Sequence, residues 1–366
     1  MGAPARVAPR DDLAMMSGYH SPQVDVEVRL NTNESPLPPP AGFLDAVADA
    51  ARTLAWNRYP DRRATELRGR LADLHGVDPE QVFVANGSNE VLQTLSLAYG
   101  GPGRCVALFE PTYAMHSQIA RVTGATVAEG GRAADHSLDL DEVRRVVGES
   151  LPSITYLCSP NNPTGLVETA ETVAEVLDLV EAVPGLLVVD EAYGQFAPWS
   201  ALELLDETRS LVVTRTYSKT WSMAAARLGY LVAPRWVVAE LEKVVLPYHL
   251  DALKQAAGIA ALDFVDDMEQ RVALLTEERG KLVAGLGDLP CEVWPSAANF
   301  ILFRPTAADP ALDADGVWQA LVDRSVLVRN CSGWPRLDGC LRVTVGTPDE
   351  NDRFLTALRD ILTTRS

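Results

Sequence analysis

Short apolar runs of strand length alternate with segments of helix length through the middle of this chain. The runs are QVFVA (81–85), RCVALF (104–109), ATVAE (125–129), SITYLCS (153–159), GLLVVDEA (185–192) and SLVVTRTYS (210–218). Such alternation predicts βαβ units and a mostly parallel sheet covered by helices, an α/β fold. The nearly continuous Val and Leu content of the runs indicates strands that are buried on both faces.

The C-terminal part has a different pattern. A long amphipathic stretch (253–286) precedes the short strands NFILF, VLVRN and LRVTV and a last helix, which together predict a smaller α+β domain. We therefore expect an N-terminal arm with part of the small domain (1–50), a large α/β domain (51–247) and a small α+β domain (248–366).

Charge and composition exclude several classes of protein. The net charge of -18 disfavours binding to nucleic acid or to an anionic membrane. No apolar run is long enough for a signal peptide or a membrane span. The five cysteines are scattered without CxxC spacing, which favours free thiols in the cytoplasm. The five histidines have no metal-ligand spacing, and no dinucleotide or P-loop motif is present, so we predict no metal site.

Polar residues follow three of the predicted strands. SPNNPTG (159–165), Asp190 and the segment from Thr216 to Lys219 come directly after strands, and Arg227 follows soon after. Each has an ordinary explanation by itself: a turn, a helix cap and a surface lysine. Packing alone does not explain all of them in succession. They predict a ligand site at the carboxyl ends of the strands.

Several motifs resemble a known family. SPNNPTG, VVDEAYGQF, RTYSKTWSMAAARLGY and LRVTVGT resemble the fold-type I aminotransferases that depend on pyridoxal-5′-phosphate (PLP). LNTNESPLPPP, NRYPD, VANGSNEVL, PTYAMHS, LPYHL and GCLRVTVGTPDEND are similar to the histidinol-phosphate aminotransferases, particularly their actinobacterial form. The resemblance covers nearly the whole chain, in order, and implies the fold-type I architecture of these transferases.

The resemblance implies a role for each matched residue at the cofactor. Lys219 would bind PLP as a Schiff base and carry the catalytic proton, and Asp190 would face the pyridine nitrogen. Tyr193 and Asn162 would bind the phenolic oxygen, and Tyr113 would stack on the ring. The phosphate would be held by Gly87, Ser88, Asn89, Ser218 and Arg227, and by Tyr59 of a neighbouring subunit. Shared sites of this kind imply a homodimer.

The same resemblance implies the substrates. Arg342 would receive a carboxylate, while Arg329 and Tyr19 would bind a phosphate and Asn33 would lie on the substrate side. The implied reaction is a ping-pong exchange between L-histidinol phosphate with 2-oxoglutarate and imidazole acetol phosphate with L-glutamate. Tyr217, AAAR (224–227) and Asn330 with Cys331 depart from the family pattern, and we expect these departures near the substrate face.

Other activities remain open on the same motifs. An aromatic amino acid aminotransferase would keep Lys219, Asp190 and Arg342 but would not need Arg329 as a phosphate ligand. A PLP-dependent decarboxylase of a phosphorylated amino acid shares much of the motif set. A PLP-sensing regulator is disfavoured, because the chain is strongly acidic and has no basic DNA-binding extension.

Overall fold

The computed structural model describes residues 7–14, 16, 18, 24–307, 309 and 312–363. The described residues form helices α1 (Asp11–Ala14), α2 (Ala41–Thr53), α3 (Thr65–His75), α4 (Ser88–Tyr99), α5 (Met115–Val122), α6 (Leu140–Ser150), α7 (Ala170–Glu181), α8 (Arg235–Val244), α9 (Ala252–Ala261), α10 (Val265–Gly287), α11 (Ala314–Val322) and α12 (Pro348–Thr363). In this part of the chain, no helix combines the length and the apolar character needed to cross a membrane.

The strands form two sheets. They are β1 (Val28–Leu30), β2 (Val82–Ala85), β3 (Cys105–Glu110), β4 (Thr126–Gly131), β5 (Ile154–Cys158), β6 (Leu186–Asp190), β7 (Leu211–Thr216), β8 (Gly229–Val232), β9 (Cys291–Val293), β10 (Phe300–Pro305), β11 (Val326–Asn330) and β12 (Leu341–Thr344). The large sheet has the order β2-β8-β7-β6-β5-β3-β4, and only β8 runs antiparallel to its neighbours. The predicted α/β fold with a mostly parallel sheet is confirmed.

The large sheet is buried on both faces because helices cover each side. Successive side chains of one strand alternate between two apolar clusters. Tyr156 of β5 packs in the cluster beneath α4, α5 and α8, whereas the next residue, Leu157, packs in the cluster beneath α6 and α7. This two-sided burial explains why the sequence of these strands is apolar throughout.

The second sheet has the order β1-β11-β12-β10-β9. β1 is parallel to β11, and the other pairs are antiparallel. Helices α10, α11 and α12 cover one face of it, with Phe300, Phe303 and Phe354 among the buried side chains. The early strand β1 joins this sheet although it lies almost 300 residues before its partner β11.

Helix α10 connects the two units. Met268 near its start packs in the cluster that contains α3 and β8, whereas Leu275 and Leu282 pack against the second sheet. Val272 contacts both clusters. Helix α9 also packs in the cluster of the large unit, through Ala257. We therefore propose that the division between the two domains falls within α10, close to Val272.

Candidate active site

The carboxyl ends of β5, β6 and β7 meet at one edge of the large sheet. Cys158 lies beside Asp190, and Asp190 lies beside Thr214 in the parallel register. A cleft of about 930 Å³ opens at this edge and is also bordered by Arg342 of the second sheet. Ligands of open α/β sheets bind at this position. The cleft is therefore the candidate active site.

Lys219 follows β7 and points into the cleft. Its Nζ donates a hydrogen bond to the carbonyl oxygen of Thr32 at 3.2 Å and lies 5.8 Å from the ring centroid of Tyr193. Burial lowers the pKa of Lys219 from 10.5 to about 8, and the positive charges of Arg342 and Arg227 act in the same direction. About a tenth of this amine is therefore uncharged at pH 7 and about half at pH 8, and the uncharged form is the one that attacks carbonyl groups.

Asp190 ends β6, and its carboxylate is almost completely buried. Oδ1 accepts hydrogen bonds from the backbone nitrogen of Ala192 and from Oγ1 of Thr214, both at 3.1 Å. Oδ2 lies 3.0 Å from Nε2 of His116. These contacts fix the carboxylate at the floor of the cleft.

His116 is a site residue that sequence reasoning did not identify. Its ring is fully buried and stacks on Tyr156, with centroids 4.7 Å apart and an interplanar angle of 7°. The ring of Tyr113 meets it edge-on at 5.4 Å. The only sequence signal was its position three residues after Tyr113 in PTYAMHS, because its partner Asp190 is 74 residues away.

The N-terminus of α4 forms one end of the cleft. Gly87 has a φ of +81° and precedes Ser88, the first residue of the helix. Nη1 of Arg227 donates to Oγ of Ser218 at 3.2 Å. A Cβ atom on Gly87 would lie 2.9 Å from Nη2 of Arg227, so glycine is needed for this close approach. A helix N-terminus and a guanidinium together make an anion site.

Two predicted residues line the cleft beside this anion site. The hydroxyl group of Tyr113 donates to Oδ1 of Asn89 at 3.1 Å. Both side chains border the cleft, so the aromatic ring stands between the end of α4 and the floor that contains Asp190. The ring can therefore cover a flat ligand that lies above Asp190.

The N-terminal segment contributes Asn33 to the opposite side. Its Nδ2 donates to the hydroxyl oxygen of Tyr193 at 2.9 Å, and its Oδ1 accepts from Oγ1 of Thr344 at 3.1 Å. Burial raises the pKa of Tyr193, which keeps its hydroxyl group protonated. Asn33 thus connects a side chain of the large domain to β12 of the second sheet.

Arg342 brings a buried positive charge to the cleft. Its Nη1 donates to Oδ1 of Asn162 at 2.5 Å, and its Nη2 donates to the carbonyl oxygen of Asn31 at 3.0 Å. Its Nε is buried and has no hydrogen-bond partner among the described residues. Arg329 of β11 lies directly opposite Arg342 in the antiparallel register. Two arginines therefore lie side by side on neighbouring strands, and Arg342 borders the cleft.

Three described residues of the prediction, Gly87, Tyr59 and Arg329, do not border the cleft in this chain. Tyr59 is 80% exposed and stacks on Tyr248, with centroids 4.5 Å apart. Arg329 lies behind Trp334, whose ring borders the cleft. Tyr19 lies outside the described residues. Trp334 itself was not predicted, since it belongs to a loop without any recognisable motif.

The expectation that the departures from the family pattern lie near the substrate is wrong for Tyr217. This side chain is fully buried, and its hydroxyl group donates to the carbonyl oxygen of Gly258 in α9 at 3.4 Å. It fills the core between β7 and the helices that cover the sheet. The packing of the core therefore accommodates Tyr217, and this side chain has no contact with the cleft.

A flat ligand with an aldehyde, a basic ring nitrogen and a phosphate needs three partners in a binding site. They are an amine, a carboxylate and an anion site. Lys219 offers an amine of lowered pKa, Asp190 a buried carboxylate, and the N-terminus of α4 with Arg227 an anion site. PLP carries all three functions, and the residues of the cleft fit it. The fold and the cleft therefore define a PLP-dependent enzyme of fold type I.

Comparisons with known proteins narrow this class. The model of the aminotransferase class I and II family matches residues 25–358. A histidinol-phosphate aminotransferase of Streptomyces avermitilis is 46% identical over 362 residues, which cover 96% of each chain. One from Frankia casuarinae is 45% identical over 367 residues, covering 97% of this chain and 90% of that one. The chain belongs to the class I and II aminotransferase family, and it is a PLP-dependent aminotransferase.

A solved structure shows the same fold. The histidinol-phosphate aminotransferase of Sinorhizobium meliloti, in complex with pyridoxal-5′-phosphate, has a TM-score of 0.88 at 24% identity. The match covers 98% of both chains. The predicted fold-type I architecture is thereby confirmed over nearly the whole length.

Proposed function

We propose that this aminotransferase exchanges the amino group between L-histidinol phosphate and 2-oxoglutarate, giving imidazole acetol phosphate and L-glutamate. The observation that carries the proposal is the pair of arginines, Arg329 and Arg342, opposite each other beside the cleft. A chain with a net charge of -18 needs such a local cationic site to hold an anionic substrate. The relatives from Streptomyces and Frankia support this choice of substrate.

PLP, when bound, supplies an electron sink for negative charge that develops on the amino-bearing carbon of the substrate. Lys219 is the attachment point for the aldehyde group. Its Nζ would remove a proton from the amino-bearing carbon of the substrate, hold it and return it. The pKa of about 8 suits this task, because the amine gives and takes protons near neutral pH.

Asp190 holds a proton on the pyridine nitrogen by its negative charge, which strengthens the electron sink. His116 is a positioning residue for Asp190, because it contacts Oδ2 while backbone and hydroxyl donors occupy Oδ1. Tyr193 and Asn162 bind the phenolic oxygen. Tyr113 covers one face of the ring.

The phosphate of PLP binds at the N-terminus of α4. Ser88 and Asn89 present backbone N–H groups there, and Gly87, whose own N–H donates to the carbonyl oxygen of Ala85 at 2.8 Å, forms the turn that leads into the helix. Ser218 and Arg227 complete the site, and their mutual hydrogen bond fixes the guanidinium. This phosphate site is separate from the arginine pair, so the cofactor phosphate and the substrate anion have different partners.

The substrate anion binds at the other end of the cleft. Arg342 receives the carboxylate of glutamate or of 2-oxoglutarate, and its unpartnered Nε is available for this contact. Arg329 adds the second charge that a phosphate group requires, with Tyr19 as a further donor. Asn33 fixes Tyr193 beside the substrate.

A half-reaction tests the proposed substrate. The PLP-loaded enzyme is mixed with histidinol phosphate or with phenylalanine, without any oxo acid, and the released products are measured after quenching. We expect about one equivalent of imidazole acetol phosphate per active site, at a rate at least about tenfold above that for phenylalanine. Faster conversion of phenylalanine would instead identify an aromatic amino acid aminotransferase. Release of carbon dioxide from phenylalanine without an oxo product would identify a decarboxylase, whereas histidinol phosphate has no carboxyl group to lose.

We further propose a cytoplasmic homodimer that does not bind nucleic acid. All five cysteines are free thiols, which suits a reducing compartment. Several large apolar side chains are exposed around one surface of the large domain, namely Trp56, Tyr59, Leu246 and Tyr248. A partner subunit covers this surface, and Tyr59 reaches the PLP phosphate of that partner.

Mixed dimers test whether the site is shared. Tyr59→Phe is expected to weaken PLP retention about tenfold, the effect of one lost hydrogen bond to a charged group. In a dimer of a Tyr59→Phe chain with a Lys219→Ala chain, both changes fall in one site and the other site is intact. We therefore expect about half of the wild-type activity from purified mixed dimers. If Tyr59 acts within its own chain, the site that keeps Lys219 carries Tyr59→Phe, and the mixed dimer should lose activity at the low PLP concentration at which the Tyr59→Phe homodimer loses it.

A further inference from the structure

The loop between β11 and β12 has a defined conformation at the ends of these two central strands of the second sheet. We call residues 331–340 the Trp334 loop. The backbone nitrogen of Cys331 donates to the carbonyl oxygen of Cys340 at 3.0 Å and closes the loop at its base. Cys331, Leu337 and Cys340 are fully buried in a small apolar cluster beneath it. The loop is therefore a packed part of the structure.

The ring of Trp334 lies against both arginines of the substrate end. The guanidinium carbon of Arg329 is 5.2 Å from the ring centroid, and that of Arg342 is 5.9 Å away. Both distances are within the range of cation–π attraction. Trp334 also borders the cleft, so one side chain contacts both cations and the space that the substrate enters.

The contact with Trp334 offsets a repulsion within the arginine pair. Like charges directly opposite each other on neighbouring strands repel. The negative face of an indole ring attracts both groups and limits their rotation. Trp334 can therefore keep the two cations close together before the substrate arrives.

An arginine of the Trp334 loop, Arg336, fixes the loop to the large domain. Nη1 of Arg336 donates to the carbonyl oxygen of Arg132 at 2.8 Å. Arg132 is itself buried and pairs with Glu168 at 2.6 Å. Gly131 leaves the space that this contact requires, because a Cβ atom there would lie only 1.6 Å from Nη1 of Arg336.

We propose that Trp334 is a positioning residue that holds Arg329 and Arg342 for the anionic end of the amino donor, and that Arg336 fixes the Trp334 loop in this position. The inference rests on the proposed function, because it assumes an amino donor with a phosphate group. It assigns substrate affinity to a loop that joins the second sheet to the large domain.

The test compares Trp334→Leu with Trp334→Phe, using steady-state kinetics with histidinol phosphate. Leucine keeps an apolar wall without a π face, whereas phenylalanine keeps the face. We expect Trp334→Leu to raise KM about tenfold with kcat within about twofold, because the contact concerns a group remote from the reacting carbon. Trp334→Phe should recover most of the affinity. Trp236→Leu, the same change on the distant helix α8, is the control and should match the wild type.

The results can overturn the proposal in two ways. Equal KM values for the leucine and phenylalanine variants would show that Trp334 is only an apolar wall. A loss confined to kcat would show that Trp334 does not contribute to binding of the anionic group. Arg336→Ala should raise KM in the same direction, by about threefold, because the loop loses its contact with the large domain; an unchanged KM would remove Arg336 from the proposal.

A separate measurement keeps the proposed function and this inference distinguishable. If the wild-type enzyme does not convert histidinol phosphate, the proposed function fails. Inorganic phosphate then serves as the probe, as a competitive inhibitor against glutamate. We expect its inhibition constant to rise about tenfold in Trp334→Leu and to change little in Trp334→Phe. Equal constants in both variants and in the wild type would overturn the role of Trp334.

Discussion

Replacing Lys219 with alanine is expected to lower kcat by on the order of 10⁴-fold or more. The variant loses both the covalent attachment of PLP and the base that removes the substrate proton. No other lysine can replace it within the described residues, since Lys219 alone among the lysines borders the cleft.

Kinetics and the visible spectrum of the purified variant check this prediction. The variant should lack the absorbance of PLP bound to a protein amine. Lys281→Ala is a matched control, because this exposed lysine pairs with Glu277 and Glu278 on helix α10 and does not border the cleft among the described residues. Retention of the lysine-bound cofactor spectrum in Lys219→Ala would show that another amine binds PLP.

The pH dependence of the same amine gives an independent measurement. In the cofactor-free protein, a pKa of about 8 leaves half of Lys219 uncharged at pH 8, whereas a lysine of pKa 10.5 has well under about 1% in that form. Its rate of reaction with an amine-specific reagent, followed by peptide mapping, should therefore reach half of its maximum near pH 8. A midpoint above pH 10 would contradict the effect of burial.

Asp190→Asn is expected to lower kcat about 10³-fold. The amide has nearly the same shape, and it can keep contacts with Thr214 and His116, but it has no charge to hold a proton on the pyridine nitrogen. PLP binding should weaken less than kcat falls, because the phosphate site at α4 is unchanged.

The neighbouring acid provides the control for Asp190. Glu191 is also buried, but its carboxylate pairs with Arg215 at 2.6 Å and faces away from the cleft. Glu191→Gln should reduce the free energy of unfolding by about 3 kcal/mol, since it leaves a buried arginine without its charge partner. The kcat of the folded, PLP-loaded protein should stay close to the wild-type value. Equal losses of kcat in both variants would mean that Asp190 acts through stability.

Much of the fold could be read from the sequence because its strongest signals are local. A strand buried on both faces must be apolar at every position, and β6 and β7 show this as LLVV and LVVT. The residues that follow such strands lie at one edge of the sheet whatever the remaining fold is. Asp190 and Lys219 were therefore predictable as neighbours in the cleft.

Contacts between distant segments were not predictable in the same way. The contact of His116 with Asp190 joins residues 74 positions apart, and that of Asn33 with Tyr193 joins residues 160 positions apart. Neither leaves a periodic pattern in the chain. The contact between Arg336 and the backbone of Arg132 depends on a loop whose course is decided by packing.

The sequence by itself thus determined the alternation of strands and helices, the polar strand ends and, through motif resemblance, the cofactor. Only the tertiary structure decided that Trp334 contacts two arginines and borders the cleft, and that Tyr59 lies on an exposed surface away from it. The physical reason is that local patterns specify which face of an element is buried, whereas the partner across a cleft is specified only when all elements have packed.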